Sequence, residues 1–419
     1  MGATIIEPHP ALLGPFAILL LSIAIFPLIL RQHWERHYQK FCALLAATTS
    51  GYYVFALQGL ARVQHAAGEY ASFIVVVGAF FVVAGAIHLH IPRPASPLSN
   101  VMFLFSGSIL ANFIGTIGAS MLLLRPFLHM NRGRGSGMHV AFFIFIVGNL
   151  GGALLPVGPP LFLGYIKGVP FLWAALHCWP QWLTATGVLL VIFFVADTIV
   201  CSGRCVAETP STHFHCYGKW NFGALLALLL VLVFVPNGVR EPLMITVVAV
   251  SYFLTPRRVF EANEFNWRPL IEVAWIFLGI FGTMIPVLDY VEFHATDFHL
   301  ASDARFYWGT GLLSGVLDNA PTYLTSLAAA LSIDHLDVNH LPDVAQFAFG
   351  HGNRLAAISL GATLFGGLTY IGNSPNLLIR AIAESRHVPA PGFLAYIIKY
   401  ALPILIPVLA LIGLIFFRG

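Results

Sequence analysis

The chain has 419 residues, of which 58% are hydrophobic and only 9% carry a charged side chain, and its formal net charge at pH 7 is +3. Soluble domains carry charged residues at about a quarter of their positions. So few charges exclude a water-soluble globular protein, and the small net charge gives no indication of a nucleic-acid partner. We therefore predict an all-α polytopic membrane protein whose main partner is the lipid bilayer.

Apolar runs long enough to cross a bilayer, which takes about 20 residues, recur along the chain. They lie near residues 11–30, 41–60, 69–90, 182–200, 220–236, 270–290 and 391–417, and a shorter run lies at 241–254. Other apolar stretches are interrupted by glycine, proline and polar residues. These are 99–125, 138–175, 306–332 and 354–385.

Short loops rich in Lys and Arg mark the cytoplasmic side of a membrane protein. The basic segment 31–40 then lies inside. The basic cluster of Arg125, Arg132 and Arg134 also lies inside if the stretch 99–125 enters and leaves the membrane on one side. The acidic loop "SIDHLDVNHLPD" suits the outer side and makes 306–332 a second hairpin of this kind. We predict about ten crossings and two opposed re-entrant hairpins in a bacterial inner membrane, with both termini outside.

The interrupted stretches resemble each other in pairs. Asn112 matches Asp318, Thr116 matches Thr322, Gly151-Gly152 matches Gly366-Gly367, Gly158 matches Gly372, and Lys167 lies near the counterpart of Arg380. Each unit has an odd number of predicted crossings, so the second unit is expected to be inverted relative to the first. The alternative is that the glycines only allow helices to pack closely.

The predicted organisation therefore has two inverted repeats joined by a cytoplasmic linker. The first repeat is 1–200, with its hairpin at about 99–125 and its broken helix at about 138–175; the linker is 201–219; the second repeat is 220–419, with its hairpin at about 306–332 and its broken helix at about 354–385.

Interrupted segments at corresponding positions of two halves indicate the substrate site of a secondary transporter. Half-helix N-termini attract anions, whereas carbonyl and side-chain oxygens attract cations of sodium size. The predicted proton- and cation-binding residues are Asp318, Asn319, Thr322, Asn112, Thr116 and Ser120. The predicted substrate-binding residues at the helix breaks are Asn149, Gly151, Gly152, Gly158, Gly366, Gly367, Thr369, Gly372, Asn373, Ser374 and Asn376.

Asp318 is the only acidic residue close to any of the four breaks. An ionisable residue inside a membrane is costly, which makes it a functional candidate. Burial disfavours the charged carboxylate and a bound cation favours it, so this group can hold a proton and a sodium ion in turn. The alternative is that Asp318 caps a half-helix through its side chain, and the two roles are compatible.

The loop "CSGRCVAETPSTHFHC" contains Cys201, Cys205, His213, His215 and Cys216, which are residue types that bind zinc. Their spacing matches no strong zinc signature, so we predict no metal site. No phosphate-binding loop appears, which gives no support for an ATP-driven pump. We expect neither enzymatic activity nor a cofactor, only Na⁺ and H⁺ as coupling ions.

Five segments together resemble one transporter family. They are "LANFIGTIGASMLLLRP", "GALLPVGPPLFLGYIKGVPF", "EVAWIFLGIFGTMIP", "LDNAPTYLT" and "TYIGNSPNLLIRAIAES". They are similar to the sodium/proton antiporter and citrate-transporter-like branch of the ion transporter superfamily, and the likeness runs from Ala86 to Leu405. The resemblance implies inverted repeats, re-entrant hairpins and a homodimer.

Two departures from this family's pattern concern cation ligands. Related sequences tend to read Leu-Thr-Pro-hydrophobic-Gly-Asp-Pro-Pro in the first broken helix, where this chain has Leu155 for the threonine and lacks the aspartate. They also tend to have asparagine where this chain has Leu368. The resemblance therefore leaves the cation site altered.

Three functions follow from these patterns. The first is exchange of sodium, or another monovalent cation, for protons by alternating access, with Asp318 as the shared carboxylate. The second is a proton- or sodium-coupled carrier of citrate or another small carboxylate, which ranks lower because no Lys or Arg lies within the four breaks. The third is a non-transporting membrane scaffold.

Overall fold

The structure is a computed structural model that describes residues 8–90, 96–132, 136–201, 215–236, 238–293, 302–386 and 388–418. Helices make up most of the described chain, and two strands of three residues complete its regular structure. A helix satisfies its backbone hydrogen bonds within the segment, which is the condition for crossing lipid. The structure confirms the prediction of an all-α polytopic membrane protein.

The helices follow one another along nearly the whole described chain. In chain order they are α1 Gly14–Ile29, α2 Arg31–Phe55, α3 Leu60–Gly85, α4 Pro97–Met130, α5 Gly137–Phe143, α6 Pro159–Lys167, α7 Trp173–Cys201, α8 Asn221–Phe234, α9 Arg240–Leu254, α10 Arg257–Ala262, α11 Arg268–Phe293, α12 Asp303–Val316, α13 Asn319–Ile333, α14 Leu341–Gly350, α15 Gly352–Leu364, α16 Ser374–Ser385, α17 Phe393–Tyr396 and α18 Ile406–Phe416. A 3₁₀ turn, Pro10–Leu13, precedes α1.

Helix α4 folds back on itself as a hairpin. Asn100 near its start and Asn131 just after its end exchange hydrogen bonds of 2.8 and 2.9 Å, although 31 residues separate them in sequence. In a straight helix they would lie about 46 Å apart. The chain reverses at Gly115, whose φ of 74° and ψ of 157° lie outside the helical region. We call residues 97–130 hairpin 1.

Helices α12 and α13 form a second hairpin of the same kind. Leu317 and Asp318 join them, and Asp303 and Asp334 mark its two ends. Both end residues contact Arg354 at the start of α15, with N–O distances of 3.4 and 3.9 Å. We call residues 303–333 hairpin 2.

Each hairpin is followed by a helix that breaks in its middle. Helix α5 continues as a π-helix, Ile144–Asn149, and a 3₁₀ turn, Leu150–Gly152, before residues 153–158 leave the helix and α6 begins. In the second half, α15 continues as a 3₁₀ turn, Phe365–Leu368, residues 369–373 leave the helix, and α16 begins. The order hairpin, broken helix, long helix thus occurs twice. The inverted relation between the two units stays a prediction.

Five helices within the described residues are long and apolar enough to cross a membrane: Leu60–Gly85, Pro97–Met130, Trp173–Ile199, Arg268–Tyr290 and Phe393–Phe416. The second of these is hairpin 1, so its length does not make it a crossing. Shorter apolar helices and the two halves of a broken helix are not counted here, because each is too short by itself to cross a membrane. The count of about ten crossings therefore remains a prediction.

Several predicted boundaries differ from those of the structure. Helix α2 begins at Arg31 rather than at 41, so the basic segment 31–40 is helical and not a loop. Residues 173–175, predicted to end the first broken helix, belong to α7. Hairpin 1 extends to Met130, five residues beyond its predicted end at 125. Helix α2 continues through a charged segment that hydropathy separates from the apolar run, so hydropathy marks this helix end poorly.

The two strands were not predicted from the sequence. His88–His90 (β1) pairs antiparallel with His215–Tyr217 (β2), with Leu89 opposite Cys216. Asn263 fixes the same region, because its side-chain amide donates to the carbonyl oxygens of Gly85 and Ile87 at 2.8 and 2.7 Å. These contacts join the end of α3 to the segments that precede α8 and α11.

Candidate functional site

The tip of hairpin 1 lies against the break of the first broken helix. The side-chain oxygen of Asn112 accepts a hydrogen bond from the backbone N–H of Leu154 at 2.9 Å, and its amide donates to the Ser108 carbonyl at 2.9 Å. At Gly115 a Cβ would make an ordinary contact of 3.4 Å with the Val157 carbonyl oxygen, so the two segments pack directly against each other. Asn112 therefore satisfies a backbone group that the break leaves without a helical partner.

The tip of hairpin 2 lies against the break of the second broken helix in a similar way. Asp318 caps α13, because its Oδ1 accepts from the backbone N–H of Ala320 at 3.1 Å. Its Oδ2 accepts from the Ser374 hydroxyl at 3.3 Å, and the Thr369 hydroxyl donates to the Gly315 carbonyl at 2.8 Å. The capping role predicted as an alternative for Asp318 is thus observed.

Three buried asparagines join the two breaks. Asn149 donates to Asn376 Oδ1 at 2.9 Å and accepts from the Asn373 amide at 2.9 Å. Asn376 donates in turn to the carbonyls of Gly366 and Thr369 at 2.8 and 2.9 Å. The first and second halves of the chain therefore meet in one hydrogen-bonded network in which the amides satisfy free backbone carbonyls.

Most of the predicted glycines lie where another residue would clash. A Cβ at Gly372 would lie 2.7 Å from the Ser314 carbonyl oxygen and 2.8 Å from that of Gly366. Gly151, Gly152, Gly366 and Gly367 are similarly crowded, with nearest atoms at 2.5, 2.9, 2.8 and 3.1 Å. Gly158 differs, since its nearest neighbour would lie at 3.8 Å. Close packing of the broken segments thus accounts for five of the six glycines.

Four buried oxygen atoms around the breaks have no hydrogen-bond partner within the described residues: Thr116 Oγ1, Ser120 Oγ, Asn319 Oδ1 and Asn373 Oδ1. Their residues are at most 3% exposed. Buried polar atoms in proteins are nearly always hydrogen-bonded, and an unpaired group costs about 1–3 kcal/mol. These oxygens are suited to accept contacts from a cation, a proton donor or water.

The electrostatics of the site combine one carboxylate with four helix N-termini. Asp318 is 7% exposed and lies at the start of α13. Helices α6 and α16 and the arm of hairpin 1 after Gly115 also begin at the breaks. A helix N-terminus carries a partial positive charge, so the site favours an anion at the helix ends and a cation at Asp318.

Three further residues, Thr322, Pro321 and Leu368, lie in or beside the tip of hairpin 2. The Thr322 hydroxyl donates to the Asp318 carbonyl one helical turn earlier at 2.9 Å, which leaves its oxygen able to accept. Pro321 lies in the first turn of α13, where its missing N–H breaks no helical hydrogen bond, and not at the reversal itself. Leu368, which replaces an expected asparagine, packs against Gly315.

Sequence reasoning missed Gly115, Gly315 and Ser314, which bring the tips and breaks together. Gly115 supplies the reversal, the Gly315 carbonyl accepts from Thr369, and Ser314 donates to the Ala362 carbonyl at 2.6 Å. The glycine in "NFIGTIG" was a usable signal for the first reversal. A backbone acceptor such as the Gly315 carbonyl leaves no sequence signal, and the Ser314 hydroxyl donates to a carbonyl 48 residues away, which no local pattern indicates.

The structure describes only part of the 201–216 loop, which contains the cysteines and histidines considered as zinc ligands. Residues 202–214 lie outside the described residues, and β2 contains His215 and Cys216. Within the described part of the chain, no cluster of three or more His, Cys, Asp or Glu side chains is suited to hold a metal ion.

Comparison with known proteins gives one whole-length match. The sequence profile of a family described as "Putative citrate transport" matches residues 8–417, which covers both hairpins, both broken helices and all the flanking helices. None of the curated proteins matches the chain. The profile match agrees with the resemblance to the citrate-transporter-like branch, and the chain belongs to this citrate transport family.

Proposed function

We propose that the chain is a secondary carrier of citrate or another small polycarboxylate, coupled to a cation or proton at Asp318. The observation that carries this proposal is that four half-helix N-termini begin at the two buried polar breaks. Asn112 links the tip of hairpin 1 to the first break, and Asn149 and Asn376 link the two breaks to each other by hydrogen bonds. Such N-termini favour carboxylate groups, and the family description supports citrate as the first substrate to test.

The coupling ion is proposed to bind on the acceptor side of the same network. Asp318 is the carboxylate at the breaks, and Asn319 and Asn373 present oxygens without a partner among the described residues. Acceptor oxygens around one carboxylate suit a sodium ion or a proton. A single negative charge favours one monovalent cation over a divalent one.

Uptake of radiolabelled citrate into proteoliposomes tests the proposal under an imposed sodium gradient or pH gradient. We expect one gradient to drive accumulation and Asp318→Asn to reduce it about tenfold or more, because hydrogen bonds to a charged group contribute about 1.5–3 kcal/mol. Asp343→Asn, which changes a partly exposed carboxylate in the first turn of α14, is the matched control and should transport normally. Gradient-driven uptake that survives Asp318→Asn would contradict this assignment.

Exchange of a monovalent cation for protons is the second candidate, and Asp318 with its unpartnered oxygen neighbours is the observation that favours it. A pH-sensitive dye in everted vesicles would respond to sodium without citrate in that case, and Asp318→Asn would abolish the response. A wild-type protein that is inactive in both assays would instead support the scaffold function.

A further inference from the structure

Two arginines face one carboxylate at the end of the molecule where α16 ends. Arg386, the residue after α16, places Nη2 2.8 Å from Glu264 Oε1. Arg125, on the second arm of hairpin 1, places Nη2 3.9 Å from Oε2 of the same carboxylate. The nearby Arg380 is already paired with Glu384 at 2.8 Å. Two guanidinium groups against one carboxylate leave an excess positive charge here.

Arg125 has hydrogen-bond donors that no described residue uses. Its side chain is 10% exposed, and its Nε and Nη1 atoms are buried without a partner within the described residues. A guanidinium group presents five N–H donors in a planar fork that matches a carboxylate. The 3.9 Å separation from Glu264 exceeds hydrogen-bond range, so this carboxylate balances the charge of Arg125 without satisfying its donors.

Glu264 is the most exposed member of this group. Its side chain is 52% exposed, that of Arg386 is 42% exposed, and Arg125 lies behind them. Glu264 follows α10 in a short connection and has a φ of 47°. An anion that approaches from solvent therefore meets Arg386 and Glu264 first and can reach Arg125 by displacing the glutamate.

We propose that Arg125 and Arg386 form a binding site for a carboxylate group of a small polycarboxylate, and that the Glu264 carboxylate occupies this site when the ligand is absent. The proposal rests on the proposed function, because a citrate carrier must balance several negative charges and Asp318 adds another. Arg125 lies nine residues beyond Thr116, about 13 Å along the helix. The proposed site is therefore separate from the helix breaks and lies between them and solvent.

Calorimetric titration of citrate into the purified protein, held in phosphatidylcholine nanodiscs, tests the site without anionic lipid. We expect Arg125→Gln and Arg386→Gln each to weaken citrate binding about three- to tenfold. Glu264→Gln should strengthen it by a similar factor, because a competing carboxylate is removed. Arg258→Gln changes an exposed arginine on the neighbouring α10 and should leave the affinity unchanged.

The arginine substitutions should lower the affinity for citrate and the glutamate substitution should raise it, and these opposite effects distinguish a binding site from a structural ion pair. If Glu264→Gln weakens citrate binding as the arginine variants do, or if none of the three changes it, the proposal is wrong. Equal affinity for inorganic phosphate would overturn the assignment to a carboxylate. Glu264 is half exposed, so its variant keeps the test decisive even if Arg125→Gln fails to fold.

Transport assays separate this proposal from the proposed function. Asp318→Asn should lose coupled uptake and retain citrate binding at the arginine pair. Wild-type binding that depends on Arg125, without citrate uptake under any gradient, would support the arginine site and contradict the carrier function. Citrate uptake by the wild type, together with an unchanged citrate affinity in Arg125→Gln, would support the carrier function and contradict the arginine site.

Discussion

At the scale of single residues, the site is built from amides with only one charge. Asn149, Asn373 and Asn376 form hydrogen bonds with each other and with carbonyls that the breaks expose, and Asn373 Oδ1 alone has no partner within the described residues. An amide supplies both donors and acceptors without the cost of burying a charge, so it can line a break at membrane depth. Asp318 is the exception, and its two oxygens already accept from Ala320 and Ser374.

The two roles of Asp318 can be separated by two substitutions. Asparagine also caps helices well, so Asp318→Asn should change the free energy of unfolding by only a few tenths of a kcal/mol, whereas Asp318→Ala should lower it by about 1 kcal/mol. Both should lose coupled uptake because both lack the carboxylate. Thermal unfolding of the purified protein measures the first effect and proteoliposome uptake the second. Equal destabilisation by the two variants would show that the cap contributes nothing.

At the scale of elements, side-chain contacts hold the two ends of each hairpin together, and its tip packs against the break of a broken helix. Asn100 and Asn131 close hairpin 1. Asn100 also donates to Asp197 at 2.9 Å, and Asp197 lies 3.2 Å from His139. Arg354 closes hairpin 2. The tips depend on a tight reversal, and only hairpin 1 uses a positive φ to make it.

Gly115→Ala should therefore disturb hairpin 1 specifically. The φ of 74° and ψ of 157° lie in a region that only glycine populates, so an alanine there should cost about 1–3 kcal/mol. Gly118→Ala is the matched control, because its Cβ would make an ordinary 3.5 Å contact with Ala84 in a regular helix. Thermal unfolding should show a loss for the first variant and no loss for the second. A neutral Gly115→Ala would show that the reversal at this residue does not constrain the tip.

At the scale of the whole molecule, ion pairs join the first broken helix to α3 and α3 to α11. Lys167 at the end of α6 lies 2.8 Å from Glu69 on α3 and donates to Asn339, beyond hairpin 2, at 2.7 Å. Next to this pair, Arg62 lies 3.5 Å from Asp289 on α11. A cavity of about 30 Å³ between them is large enough for water. Elements from both halves are thus tied together at one end of the molecule.

Removing one partner of the Lys167–Glu69 pair should be strongly destabilising. Lys167→Met leaves the Glu69 carboxylate without its closest cation and should cost about 3–5 kcal/mol. The double variant with Glu69→Gln should lose clearly less than the sum of the single variants, with a coupling of about 1 kcal/mol or more. Thermal unfolding of all four proteins measures the cycle. Strict additivity would show that the two side chains do not interact.

Cysteine labelling tests the predicted orientation. In a background in which the five native cysteines are replaced, His340→Cys should react with a membrane-impermeant maleimide on intact cells. Arg258→Cys should react only after the membrane is opened, because α10 is predicted to lie inside. If both cysteines are labelled on intact cells, the two positions do not lie on opposite sides of the membrane and the prediction is wrong. If only Arg258→Cys is labelled on intact cells, the orientation of the protein is the opposite of the predicted one.

The sequence by itself determined that the chain is an all-α membrane protein and that its polar residues gather at four interruptions. Composition decides the first, because 9% charged residues cannot form a water-facing surface, and glycine and proline in apolar runs decide the second. Asp318, Asn149 and Asn373 were predicted for this reason. Side-chain chemistry at a break is a local property, so it is visible in the sequence.

Only the tertiary structure decided which of these groups meet. The pairing of Asn149 with Asn373 and Asn376 joins residues more than 220 positions apart, and no local pattern specifies such a contact. The same holds for Arg125, which looked like a topology signal until the fold placed it beside Glu264 and Arg386. Long-range packing selects the partners of a buried polar group, because each must find its hydrogen bonds in whatever the fold brings near.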